Sequence, residues 1–409
     1  MKAGTGYSNK KDAFEAGREA AVYAMQSQGI DRADLVLAFR RGYLDHNEYF
    51  KGIKSVTGNS APIIGGSAVG VITNNDLSYK EYASGVLIIN SNDLIRKVLS
   101  VGDIDKDMEK SGEQLGDALE MEGDGKLFLL FYDSIKTPPK DDIPPVLNSS
   151  SLLLKGIGKH SRKKIPIVGA GLLGDYTFDF SRQFYGADVG CQKAVGVLLG
   201  GNFNAYTRIT HGCTPLDGVY YKITRIDGSI IYELDGKPIT EVIDDMYGDN
   251  SWRGQYPVKL LTVGVNYGER YDLSEESTCV NRLILGALPN GEGISLFESD
   301  LENGALIRFM VRDTDEMMNS ARINAEGIMS DITARGERPV FGLYIDCAGR
   351  TAEYQNILSE EAAIIQEVFN RYGVQLFGFY SGVEIAPVGE VSKGLDWTGV
   401  LLVFSEVLK

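Results

Sequence analysis

Val340-Phe-Gly-Leu-Tyr-Ile-Asp-Cys-Ala-Gly-Arg350 and, further on, Leu376-Phe-Gly-Phe-Tyr-Ser-Gly382 decide how this chain is read. Both runs are short, apolar and rich in β-branched and aromatic residues, so each predicts a buried strand. Pro339 marks the start of the first, because proline cannot donate to a sheet ladder. Between them Ala362, Ile365, Val368, Phe369 and Tyr372 recur at helical spacing. Ser359 is the expected cap and Gly373 the stop. Strand, helix and strand in that order predict an α/β layer.

The same block recurs twice upstream. Asp34-Leu-Val-Leu-Ala-Phe39 and Lys126-Leu-Phe-Leu-Leu-Phe-Tyr-Asp133 match the first run. Ile63-Ile-Gly-Gly-Ser-Ala-Val-Gly70 and Ile167-Val-Gly-Ala-Gly-Leu-Leu-Gly174 match the second. Related strands close all three blocks at Gly85–Ile89, Gly196–Leu199 and Gly399–Phe404. Self-similarity of this kind fixes the fold before any single element does. The expectation is a mixed α/β fold of repeated strand-helix-strand-hairpin layers with mixed sheets, each with helices on one face. Further helices are expected at Ala13–Met25, Met108–Leu119 and Met317–Ile332.

From about Tyr206 to Arg312 the pattern changes to short alternating runs. Asp227-Gly228, Asp235-Gly236 and Pro289-Asn-Gly291 separate them, which predicts a β-rich insertion in the second domain. We therefore expect two domains, 1–205 with two copies of the block and 206–409 with the β-rich part 206–312 and a third copy at 313–409. Pro138-Pro139 and Pro144-Pro145 predict a stiff surface loop in the first.

Composition narrows the function. Among 409 residues there are 41 Lys plus Arg against 56 Asp plus Glu, a net charge of −15, with no basic stripe to attract phosphates. Nucleic acid is not an expected partner. The apolar runs are too short to span a bilayer, which needs about 18 or more residues, and no signal peptide follows Lys2. A cytoplasmic protein is expected. Four cysteines without a C-x-x-C spacing and three histidines exclude zinc ribbons and HExxH metalloproteases. Gly169-Ala-Gly-Leu-Leu-Gly174 spells GxGxxG, but the next residues, Asp175 to Tyr185, alternate like a strand or hairpin and not like the helix a dinucleotide needs.

Ligands of α/β layers sit at the carboxyl ends of strands. Arg350 and Glu384, beside Tyr380 and Cys347, are placed to bind a zwitterion there, Arg350 through its planar fork to a carboxylate and Glu384 to an ammonium. The alternative is an internal Arg-Glu pair that closes the turn. His211-Gly-Cys213 alone brings a histidine near a cysteine, without an orienting third group. An enzyme with Cys347 or Cys213 as nucleophile is a competing class.

These residues resemble the FIST sensory domain proteins, with their N-terminal and C-terminal parts, over nearly the full length. The resemblance is carried by the Ala-rich first helix, Asp34–Phe39, Ile63-Ile-Gly65 and Gly212-Cys-Thr-Pro215 before Glu233-Leu-Asp-Gly236. Most specific are Cys347-Ala-Gly-Arg350 and the Gly378-Phe-Tyr to Glu384-Ile-Ala-Pro387 stretch. The resemblance implies a sensory input module that binds a small ligand such as an amino acid and is not an enzyme. It also implies a separate signalling partner, such as a histidine kinase, since no output module follows. Some members are reported as haem-binding nitric oxide sensors, which makes His211 the haem candidate. The implied ligand set is Arg350, Glu384, Tyr380, Cys347, Asp175, Cys213 and Trp397. The family's GEI is Val383-Glu-Ile385 here, Val71 stands where an acid is expected, and Asp396-Trp397 replaces a His-Asn pair. Trp397 is expected to close the pocket with its aromatic face.

Overall fold

A computed structural model describes residues 1–122, 125–140, 145–268 and 276–408. Pro144 lies outside the described residues. The strands predicted as continuous apolar runs are buried on both faces, as Leu127–Asp133 illustrates along its whole length. Such runs belong to central strands covered on both sides. The fold is mixed α/β.

Three six-stranded sheets are wired alike. In the first, strand Lys2–Ser8, helix Ala13–Ser27, strand Leu35–Arg41, helix His46–Thr57 and strand Ile63–Ala68 follow one another, and Ser84–Asn90 closes the unit. Leu35–Arg41 pairs in parallel with Ile63–Ala68 and antiparallel with Ser84–Asn90. Ile95–Val101, Met108–Met121, Leu127–Asp133, Ser150–His160, Ile167–Leu172 and Ala194–Gly200 repeat this order. Asn204–Thr210, Thr314–Ala334, Glu337–Cys347, Glu361–Tyr372, Gln375–Ser381 and Gly399–Val407 do so again. The third unit thus opens at Asn204–Thr210 and not at 313. A β-rich insertion parts that strand from its helix.

Each unit gives its hairpin to a neighbouring sheet. Val71–Thr73 pairs with Gln375–Ser381, Gln183–Gly186 with Ile63–Ala68, and Val383–Val388 with Ile167–Leu172. Strands from either side of residue 205 therefore share two of the three sheets. The inner faces meet in one apolar core, where Phe39 lies 3.8 Å from Phe379 and 5.4 Å from Phe131 between ring centres. Helix pairs cover the outer faces. Ala-rich Ala13–Ser27 crosses His46–Thr57 so closely that a Cβ on Gly17 would stand 2.2 Å from the Tyr49 carbonyl oxygen. Only glycine allows that approach.

Asp12, Asp45, Asp107 and Asp313 cap their helices by accepting backbone N–H bonds. The expected cap Ser359 does not act: Glu360 occupies that position, its carboxylate turned elsewhere. Ser149 likewise gives no cap to Ser150–His160. Glu298 of the insertion does so instead, accepting from the Ser150 and Ser151 amides at 3.1 and 3.3 Å. The insertion has its own sheet and core, which includes Trp252, Val263 and Phe309. Segment 175–180, expected to be strand-like, is a loop; the hairpin begins at Gln183.

Candidate ligand site

Arg41, Asp133 and Cys347 end the same strand of their respective sheets. Beside Cys347 a cleft of about 80 Å³ opens between the second unit, the third unit and the insertion. Ser134, Leu173, Tyr176 and Phe178 come from the second unit, and Leu283 and Phe297 from the insertion. Cys347, Tyr354, Ser381, Asp396 and Trp397 come from the third. Stacked rings of Tyr176 and Tyr354, 5.2 Å apart, form its lip, and the Tyr176 hydroxyl donates to the Ala348 carbonyl at 2.8 Å. Phe178 and Trp397 both adopt left-handed backbone, at φ +58 and +53. Strain of this kind on bulky residues persists only where surrounding contacts enforce it, and it gathers at binding sites.

The expected residues divide. Cys347 and Trp397 line the cleft. Arg350 does not. It is 1% exposed, and its Nε and Nη2 reach Glu361 at 2.8 and 2.6 Å. Its Nη1 donates to the carbonyls of His211 and Trp397 at 3.1 and 2.8 Å. This is the internal Arg-Glu pair, with Glu361 in place of Glu384. Arg350 Nε also lies 3.4 Å from Asp346 Oδ1, so a single guanidinium serves two buried carboxyls here. Burial raises the Glu361 carboxyl in spite of Arg350, and burial together with Glu361 pushes the Asp346 carboxyl well above its usual range.

Glu384 is fully buried and takes no bond from Arg350. It accepts from Ser381 Oγ at 2.9 Å and the Thr398 amide at 3.3 Å, and burial pushes its carboxyl well up. Tyr380 alternates with Ser381 along its strand and so faces the opposite side, toward the helices, where its hydroxyl donates to Glu360 at 2.8 Å. Asp175 lies outside the cleft wall and accepts from the Thr177 amide and hydroxyl, which shapes the loop that carries Tyr176 and Phe178. Cys213 packs with Cys279 and Met310 elsewhere. The zwitterion geometry expected of Arg350 and Glu384 is thus replaced by two separate buried arrangements.

Asp396 was visible in the sequence only as the neighbour of Trp397. Its Oδ2 accepts from the Leu283 amide at 2.9 Å, Oδ1 has no partner among the described residues, and burial pushes the carboxyl up to about 7. Trp397 also walls a neighbouring cavity of about 440 Å³ lined by His211, Lys259, Arg312 and Arg350, with the Arg312 guanidinium lying over its ring. Gly349 makes room for the indole, since a Cβ there would meet Trp397 Nε1 at 2.0 Å.

Haem does not fit His211. Its Nδ1 accepts the Cys213 amide at 2.9 Å, which assigns the proton to Nε2, the atom an axial ligand must present bare. Nε2 is also buried, and burial keeps the ring neutral. Burial raises the thiols as well, that of Cys213 to about 12 and that of Cys347 well above its usual range, so neither is poised as a thiolate nucleophile.

A FIST N domain model matches residues 34–237 and a FIST C domain model residues 240–387. An uncharacterized protein of Mycobacterium tuberculosis is 26% identical over 396 residues, 95% of each chain. An uncharacterized protein of Methanocaldococcus jannaschii is 26% identical over 248 residues, covering 56% of this chain and 42% of that protein. A crystal structure of chorismatase overlaps 91% of this chain and 92% of its own at 10% identity and a TM-score of 0.32. PurLQS from Thermotoga maritima overlaps 99% and 72% at 9% identity and a TM-score of 0.23. Both likenesses are too slight to bear on fold or activity. No helix among the described residues is long and apolar enough to cross a membrane. With the two domain models covering most of its length, this chain belongs to the FIST family, a signal-transduction sensory family.

Proposed function

We propose that this protein is a cytoplasmic, stand-alone sensor that binds a small metabolite in the Cys347–Asp396 cleft without turning it over and signals to a separate protein such as a histidine kinase. The observation that carries the reading is the cleft's construction: three parts of the chain wall it, and it holds a buried, half-partnered carboxyl among strained aromatic residues. The like wiring of the three sheets is taken as an internal repeat, of which only the third copy carries the insertion.

That insertion supports a route for the signal. It grips the second unit through Glu298 at the start of Ser150–His160, and the third through Arg282, which donates to the Gly394 carbonyl at 3.0 Å. A ligand between these grips shifts the insertion's position to the extent that it binds two positions unequally. The raised thiols of Cys347 and Cys213 weigh against a cysteine-dependent enzyme.

Thermal denaturation against a panel of amino acids, amines and small carboxylates tests this reading. Ligand at 100 times its dissociation constant adds about 2.7 kcal/mol of stability. The expected result is a raised Tm with at least one compound, lost in Leu147→Trp, which fills the cleft from its half-buried wall. A shift retained in that variant would move the site elsewhere.

A further inference from the structure

We propose that the cleft selects a small protonated amine with a short apolar body over a carboxylate or a zwitterion. This rests on the small-ligand reading and narrows it. Asp396 is 3% exposed, lines the cleft and leaves Oδ1 without a hydrogen-bond partner among the described residues. A buried carboxylate oxygen without a donor is costly, and an ammonium supplies both the donors and the compensating charge.

The rest of the wall points the same way. Among the described residues, no lysine or arginine lines the cleft. Arg282, whose charge reaches Asp396, is held by Asp300 at 2.7 and 2.6 Å and by the carbonyls of Asn281 and Gly394 at 3.0 Å each. The hydroxyl protons of Ser134 and Ser381 are engaged by the Leu172 carbonyl and Glu384, which leaves their lone pairs as acceptors. The side-chain donors that remain among the described residues are the Trp397 indole N–H, the Cys347 thiol and the Tyr354 hydroxyl, none of them carrying a positive charge. A bound carboxylate would therefore lie beside Asp396 and Glu384 with no counter-charge in the described wall. Ile135, Leu173, Leu283 and Phe297 offer apolar contact to a short alkyl body. The cleft volume suits a body of about four carbons, less than the roughly 150 Å³ of an engineered cavity that takes benzene.

The test uses the full chain with Trp252→Phe, which leaves Trp397 as the single tryptophan. Its emission is titrated with butylamine, butyrate and 2-aminobutyrate, which share a four-carbon skeleton. Butylamine is expected to give a saturable change, weakened at least tenfold by Asp396→Asn and abolished by Leu147→Phe, which fills the cleft without adding an indole, with the melting temperature of each variant recorded to confirm folding. Equal or stronger binding of butyrate or 2-aminobutyrate would overturn the amine class while leaving a ligand cleft in place. So would butylamine binding unchanged in folded Asp396→Asn. Silence with all three probes would overturn the inference too, and the metabolite panel then decides the sensor reading separately.

Discussion

Asp133 and Asp396 are both buried carboxyls at junctions between sheets, and their surroundings are opposite. Asp133 accepts from the amides of Ile135, Ser181 and Gln192, from the Ser181 hydroxyl and the Gln192 side-chain amide, and from the Cys191 thiol. Both of its oxygens are saturated from within the chain. Asp396 has one amide donor and, among the described residues, an unpartnered oxygen. One junction is sealed by its own hydrogen bonds, which tie the end of Leu127–Asp133 to the segments on either side of the hairpin that the second unit gives to the first sheet. The other keeps acceptor capacity free, as a site for an external donor requires.

Removing the sealed hub is the largest way to break this contrast. Asp133→Ala strands six donors in a buried place and is expected to cost about 4–5 kcal/mol, read as a lowered urea midpoint. A cost below about 1 kcal/mol would mean that the junction is not sealed by this network. Next comes Arg350→Ala, which leaves Glu361 buried without a cation and should cost about 3–5 kcal/mol by the same measurement. That outcome separates Arg350 from the ligand: its loss would lower stability with or without butylamine present.

Smaller changes sharpen the open side. Gly349→Ala drives a methyl group into the Trp397 indole and is expected to cost about 1–3 kcal/mol and to shift Trp397 emission in the Trp252→Phe background. Smaller still is the pH response. The Asp396 carboxyl is raised from 3.8 to about 7 by burial, so the folded state keeps a proton that the unfolded chain releases above about pH 4. Stability therefore falls as pH rises from about 4 to 7. Glu384, also raised, acts with the same sign, so Asp396→Asn is expected to reduce the slope without removing it. An unchanged slope would show that Asp396 does not titrate in that window.

Much of the fold was legible because the central strands are continuous apolar runs and the helices carry plain amphipathic spacing. The turns of the insertion were legible for a local reason: Gly228, Asp235 and Gly236 all take positive φ, and the sequence supplies residues that tolerate it. The exchange of hairpins was not legible. It depends on packing among three distant units, and the third unit's first strand is cut off by the insertion.

The site was half legible. Cys347 was found through a motif at a strand end and Trp397 as a departure from the family's His-Asn pair, but motif proximity placed Tyr380 and Arg350 there as well. Tyr380 missed because side chains alternate across a strand, so it and Ser381 cannot share a face. Arg350 missed because Glu361, at the start of the next helix, is closer than Glu384 and fits its fork. Nothing local in the sequence tied Leu283, Phe297 or Tyr176 to Cys347.

Amide hydrogen exchange of the full chain, with and without saturating butylamine, tests the contrast most directly. Slowed exchange at 173–178, 347–354 and 396–398, with 181–192 around Asp133 unchanged, is the predicted result. Equal slowing at both junctions, or slowing confined to 181–192, would contradict it.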